Sequence, residues 1–273
     1  MFPNLPFGKC KRSKSAQLCL IKTNKTMETP IKFNQTLQGK RVIVLGGSSG
    51  IGLATAKAAS AEGANVVIIS GNQQRIDNAL KELPEGSTGF AVDLSKEATI
   101  KAFFEQAGSF DHLVYTAGEN LTLNMIGQTD IDEARTFFNV RYWGAFTAVK
   151  YGAPHINAGG AISLISGTAS ARPGAGWSVA SSICGAMEGF VRAMAVELAP
   201  IRVNAVVPGV IKTNLWGSMS EADREGLFQS QADALLLKRV GEAEDIALAF
   251  VYLMKQQFGT GQNITVDGGA VLV

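Results

Sequence analysis

Val42-Ile43-Val44-Leu45-Gly46-Gly47-Ser48-Ser49-Gly50-Ile51-Gly52 decides how the rest of this chain is read. An apolar run rich in β-branched residues feeds a turn of glycine and serine, and Leu53-Ala54-Thr55-Ala56-Lys57-Ala58-Ala59 continues it as a helix. Strand, tight turn and helix in that order aim the unpaired amides of a helix start at a phosphate. Gly46 permits the turn, Gly50 lets backbone approach a pyrophosphate, and Gly52 allows close helix–strand packing. Ser48 and Ser49 can add hydroxyl donors or simply cap the turn. The spacing is G-x-x-x-G-x-G, not the G-x-G-x-x-G of the usual dinucleotide fingerprint, so a glycine-rich turn that binds nothing stays open on this stretch alone.

Outward from that turn, strand-like runs alternate with amphipathic segments. Strands are expected at 65–70, 89–93, 112–116, 160–166, 201–207 and 263–267, and helices at 75–83, 96–107, 131–155, 179–198 and 242–256. Residues 213–238 form a polar excursion with a helix inside it. The alternation predicts a single α/β domain, a doubly wound parallel sheet of about seven strands with helices on both faces and ligands at the carboxyl ends of the strands.

The chain has 273 residues, 46% hydrophobic and 18% charged, which suits one globular α/β domain. No unbroken apolar run approaches the ~18 residues of a membrane span. Cys10, Cys19 and Cys184 are too few for a disulfide framework or a zinc site, which points to a reducing cytoplasm and no metal. Residues 1–26 hold six cations and no acid, so the rest of the chain carries −4 against a whole-chain charge of +2. A basic tail over 1–34 without fixed structure and a domain over 35–273 are expected, with Met27 as a plausible natural start. No basic groove with interleaved aromatics suggests nucleic acid.

Six motifs in order make residues 38–270 resemble the short-chain dehydrogenase/reductase family, which implies a Rossmann-type fold. Leu45 through Gly52 is similar to its T-G-x-x-x-G-I-G turn, with leucine for threonine, and Asp93-Leu94 matches its adenine-side acidic pair. Tyr115-Thr116-Ala117-Gly118 resembles N-N-A-G with both asparagines changed, and Asn139 falls where the family's helix asparagine lies. Pro208-Gly209-Val210-Ile211-Lys212-Thr213 resembles the P-G-x-x-x-T segment beside the nicotinamide, and 260–269 carries the C-terminal signature. The resemblance implies cofactor contacts from Pro208, Gly209, Ile211, Thr213, Ala117 and Gly118, a substrate lid over about 213–238, and a homodimer or homotetramer built on helices 131–155 and 179–198.

The second strand ends in Ser70-Gly71-Asn72-Gln73-Gln74-Arg75, with no carboxylate before Asp77 to hold a ribose 2′-hydroxyl. Ser70, Asn72 and Arg75 could donate to a 2′-phosphate. NADP(H) is therefore preferred, with NAD(H) possible.

The family's chemistry is hydride transfer, with a tyrosine as proton donor, a lysine four residues later that lowers its pKa, and a serine that polarises the carbonyl. Here the tyrosine position falls on Ala180 and the lysine position on Cys184, and no tyrosine in the chain is followed four residues on by lysine. The serine position lands on Gly167, with Ser166 one residue away. Asn139 and Ser166 are the remaining catalytic candidates, with Tyr115 at the end of the fourth strand a substitute donor. Trp177 and Trp216 are expected to wall the pocket, with ordinary core anchoring as the alternative. Three readings follow: an atypical oxidoreductase of a small carbonyl or alcohol, an inert nucleotide-binding protein, or an elimination or isomerisation that never needed the phenol.

Overall fold

β1 (Arg41–Leu45) has no polar face: Val42, Ile43, Val44 and Leu45 are all fully buried. A strand apolar on both sides of its pleat needs cover on both. The structure, a computed structural model, supplies that cover; it describes residues 36–121 and 123–273, and the tail expected over 1–34, with Met27, lies outside the described residues.

Seven parallel strands run in the order β3-β2-β1-β4-β5-β6-β9: β2 (Asn65–Ser70), β3 (Thr88–Ala91), β4 (Phe110–Tyr115), β5 (Ile156–Ile165), β6 (Arg202–Pro208) and β9 (Asn263–Val266) flank β1. On one face Ile43, Leu45, Leu113, Tyr115 and Ile162 pack against Ile100 and Phe104 of α3 (Glu97–Ala107), Val149 of α5 (Ala145–Gly152) and Met187 and Val191 of α6 (Ser178–Glu197). On the other, Val42, Val44, Val66, Ile68 and Val114 meet Ala56 and Ala59 of α1 (Gly50–Ala61), Ile76 of α2 (Gln73–Leu80) and Ile246 and Phe250 of α8 (Ala243–Lys255). Burying each large aliphatic contributes about 1.5–3 kcal/mol. The chain order reverses between β1's two neighbours, β2 and β4, which opens a crevice at the carboxyl ends of the strands.

Three local readings change, and one, the excursion, is filled in. The helix expected over 131–155 is broken into α4 (Ile131–Phe138), a π-helical turn over Asn139–Gly144, α5 and a 3-10 turn over Ala153–His155. Its cause lies in β4: the Tyr115 hydroxyl donates to the Val140 carbonyl at 2.5 Å, and a Cβ on Gly144 would stand 2.3 Å from that same hydroxyl. β3 stops at Ala91 because the Asp93 carboxylate accepts from the Ser95 amide at 3.0 Å and hydroxyl at 2.6 Å, bending the chain out of the sheet. The excursion over 213–238 contributes a 3-10 turn (Asn214–Trp216) and α7 (Glu221–Ala234), flanked by a short parallel pair, β7 (Ile211–Lys212) and β8 (Gly241–Glu242). Finally, α6 is long and apolar enough by composition to cross a membrane although it holds no unbroken apolar run of that length; Ile183, Met187, Phe190, Val191 and Ala195 bury one face of it within the domain.

Candidate active site

Except for Asn139, the motifs picked out in the sequence sit at the ends of β1, β3, β4, β6 and β9. At β1, the Gly46 amide donates to the Ile69 carbonyl at 2.8 Å and its φ is +88°, a conformation that side chains rarely adopt. A Cβ there would lie 2.5 Å from the Ala117 amide nitrogen, and one on Gly52 would lie 2.1 Å from the Gly46 carbonyl oxygen. The turn is thus closed against β4 on one side and α1 on the other. Ser49 is the N-cap residue of α1 and is extended, and its hydroxyl makes no capping bond, so the helix start keeps its amides for a ligand. Ser48 donates to the Ser70 hydroxyl at 2.9 Å, tying the turn to the end of β2. Thr213 faces Gly50 across the mouth, where a Cβ on Gly50 would lie 3.4 Å from the threonine methyl.

At β2, Asn72 caps α2 by accepting from the Arg75 amide at 2.9 Å, and Arg75 itself is exposed. Among the described residues Arg75 makes no ion pair, and Asp77 is engaged by Gln73 at 2.8 Å. Asp93 is held well below the usual carboxylate range, at about 2, by the Ser95 hydroxyl, Lys96 and the Ser95 amide. Leu94 is buried beside it. At β6, Gly209 donates to the Val266 carbonyl at 3.1 Å. Ile211 turns its side chain into the core, 2.5 Å from where a Cβ on Gly241 would be, and its carbonyl accepts from the Trp216 indole at 3.0 Å. These parts fit a dinucleotide: a cradle that a Cβ would fill, free helix amides and no carboxylate at the ribose end.

The other half of the crevice is a cavity of about 120 Å³, lined chiefly by Leu121, Phe137, Arg141, Gly167, Trp177, Ala180, Cys184, Leu215 and Trp216. Gly167, Ala180 and Cys184, on which the sequence resemblance places the family's serine, tyrosine and lysine positions, all line this cavity. Ser166 reaches the wall, but its hydroxyl is directed to the Cys184 carbonyl at 3.2 Å and to Glu188 Oε1 at 3.3 Å. Ser170 also donates to Glu188, so that carboxylate serves the wall of the cleft. Trp177 and Trp216 both line the cavity, and Trp216 also anchors the lid through its indole.

Asn139 does not reach the cleft. It is exposed and borders an outer groove with Ile131, Ala134, Phe138 and Trp143, while Arg141, two residues on, lines the cavity. Two residues are roughly half a turn of helix, which separates an outer from an inner position. The sequence reading missed Arg141; its one signal was a cation set among Val140, Tyr142 and Trp143 just ahead of a glycine. The Arg141 guanidinium lies over Gly118, where a Cβ would come within 2.7 Å of its carbon, and 4.6 Å from the Phe137 ring centroid. One nitrogen donates to the Glu119 carbonyl, and Nε is buried with no partner. Burial pulls the guanidinium below its usual range, with Glu119, Cys184 and Tyr115 acting in the opposite sense.

The other proton donors considered are placed just as plainly. Tyr115 is fully buried with its proton committed to Val140, and burial drives its pKa far up, so it faces the π turn and not the cavity. Burial also raises the Cys184 thiol, with Ser166 pulling the other way. His112 lies at the opposite end of the sheet, paired in register with Val42 and Ala161, and His155 ends the 3-10 turn.

A family model described as enoyl-(acyl carrier protein) reductase matches residues 46–271. A protein named short-chain dehydrogenase/reductase ATR9, from Stachybotrys chlorohalonatus, is 36% identical over 266 residues, covering 87% of this chain and 99% of its own. Among solved structures, a small-chain dehydrogenase in complex with NADPH is 35% identical with a TM-score of 0.77, covering 86% of this chain and all of that one. MalC reductase/Diels-Alderase from Malbranchea aurantiaca is 25% identical with a TM-score of 0.80, over 87% of this chain and 98% of that one. A doubly wound sheet with a dinucleotide cradle at its switch point defines an NAD(P)-binding oxidoreductase fold. The chain belongs to the short-chain dehydrogenase/reductase family, as an oxidoreductase.

Proposed function

We propose that this protein uses NADP(H) to reduce or oxidise a small carbonyl or alcohol without a tyrosine proton donor. The observation that carries this reading is the division of the crevice: the nucleotide half keeps its backbone geometry, and an aromatic-walled cavity adjoins it. When bound, the nicotinamide cofactor supplies or accepts a hydride. The α1 amides and the Ser48–Ser70 pair would hold the phosphate side, Arg75 would favour a 2′-phosphate, and Trp177 and Trp216 wall the reacting end. No lining group is a useful general acid near neutrality, so water provides the proton. Losing such an acid costs about 10²- to 10⁴-fold in rate and leaves positioning intact.

We also propose a homo-oligomer. Trp143 and Phe146 are partly exposed, Phe146 stacks on Phe190 of α6 at 4.9 Å, and Gly185 and Gly189 have nothing near their missing Cβ. Gly144, Ala145 and Ala148 are buried within the subunit instead. The test is NADPH and NADH binding followed by fluorescence, then NADPH oxidation across a carbonyl panel. Equal affinity for NADH ends the NADP preference, binding without turnover favours an inert nucleotide-binding protein, and absence of binding overturns the proposal.

A further inference from the structure

Arg141 presents a problem that the rest of the cavity does not solve. Its Nε is buried and unpartnered, and the remaining cavity wall carries no carboxylate. Neither Glu119 nor Glu188 pairs with it: Glu119 offers its backbone carbonyl, and Glu188 accepts from Ser166 and Ser170. A buried cation without an ion-pair partner is costly, and an anionic ligand that meets the guanidinium offsets that cost with a charge-assisted bond. The group is also pre-set: Gly118 leaves room for the guanidinium, Phe137 lies 4.6 Å from its carbon, and the π turn aims it inward. Held this way, it loses little freedom on binding.

We propose that Arg141 is an anion anchor and that the cavity selects a small organic acid, whose ionised oxygen meets the guanidinium while its flat body lies among Phe137, Trp177 and Trp216. The size agrees: the cavity measures about 120 Å³, and a dry cavity of roughly 150 Å³ takes up one benzene ring. This rests on reading the cavity as the substrate half of the crevice, and it adds the substrate's charge. The position matters too. Arg141 acts from the helix opposite α6, so a cation reaches the cleft although the family's lysine position holds Cys184.

Benzoate and its neutral isostere benzamide are the probes, titrated against the full-length protein with tryptophan fluorescence as the readout. Trp177→Phe identifies the quenching from the cavity against that of exposed Trp143. Benzoate is expected to bind at least about tenfold more tightly than benzamide in the wild type, as one charge-assisted bond provides. Arg141→Gln should abolish the difference without weakening benzamide, and Arg141→Lys should retain part of it. Equal affinities in the wild type, or a preference that survives Arg141→Gln, overturn the proposal, and the wild-type comparison needs no variant to fold. NADPH binding, read from the cofactor's own fluorescence, separates the two levels. If NADPH binds and benzoate shows no preference, only the anion anchor fails; if NADPH does not bind, the NADP(H) reading fails whatever benzoate does.

Discussion

The two halves of the crevice are built from different materials. The nucleotide half is backbone: φ +88° at Gly46, free amides at α1, and contacts that any Cβ would break. The substrate half is side chains, among them Gly167, Ala180 and Cys184, on which the sequence resemblance places the family's serine, tyrosine and lysine positions, with Arg141 added from another helix. Backbone geometry admits few substitutions, because a Cβ in the wrong place costs the whole turn. Side-chain chemistry can be exchanged while the wall still packs, so the fold persists with a different set of polar groups.

Restoring the family's side chains is the strongest way to break this contrast. Ala180→Tyr with Cys184→Lys alone should leave turnover unchanged, since Arg141 would face the new lysine with like charge. Adding Gly167→Ser and Arg141→Asn should raise NADPH oxidation by about 10²- to 10⁴-fold on a neutral ketone. A gain from the double variant alone would mean that Arg141 does not control this half. On the nucleotide side, Gly46→Val should cost roughly 3 kcal/mol or more through strain and collision with Ala117. Thermal unfolding and NADPH titration would register it, and a variant of wild-type stability with full NADPH binding would end the claim that backbone sets this half.

Outside both halves, His112 gives a reference for the sheet itself. Burial, with Arg202 adding to it, lowers its pKa to about 4, whereas the unfolded chain keeps it near 6.5. The unfolded state therefore binds the extra proton, and stability falls as pH drops from 6.5 to 4, by about 3 kcal/mol at most. The same stretch should be flatter in His112→Gln by chemical denaturation. Asp93, held at about 2, loses its contribution only below its unfolded value of 3.8, outside that window. The smallest effect is Tyr115→Phe: it leaves the Val140 carbonyl without its donor, which costs about 1–2 kcal/mol. Its pH–rate profile should match the wild type, and a lost ionisation would show that this phenol reaches the chemistry after all.

Much of the fold was legible because its determinants are local and repeated. Val42 to Gly52 specifies strand, turn and helix from adjacent residues, and the alternation that follows predicts the seven parallel strands. The β3 end was misread by two residues because Asp93 engages Ser95 only once the chain has turned. The helix break at Asn139–Gly144 was invisible because its cause, the Tyr115 hydroxyl, lies 25 residues upstream on another element.

The same division holds for the site. Sequence by itself determined the dinucleotide cradle, the missing acid at the end of β2 and the absence of the tyrosine–lysine pair, since each is a matter of residue identity within a short segment. Only the tertiary structure decided that Asn139 faces outward, that Ser166 is turned to Glu188, that Tyr115 is spent on Val140, and that Arg141 stands in the cavity. Those outcomes depend on which way a side chain leaves a helix and on what distant element it meets, and within one six-residue π turn Asn139 borders the outer groove while Arg141 lines the cavity.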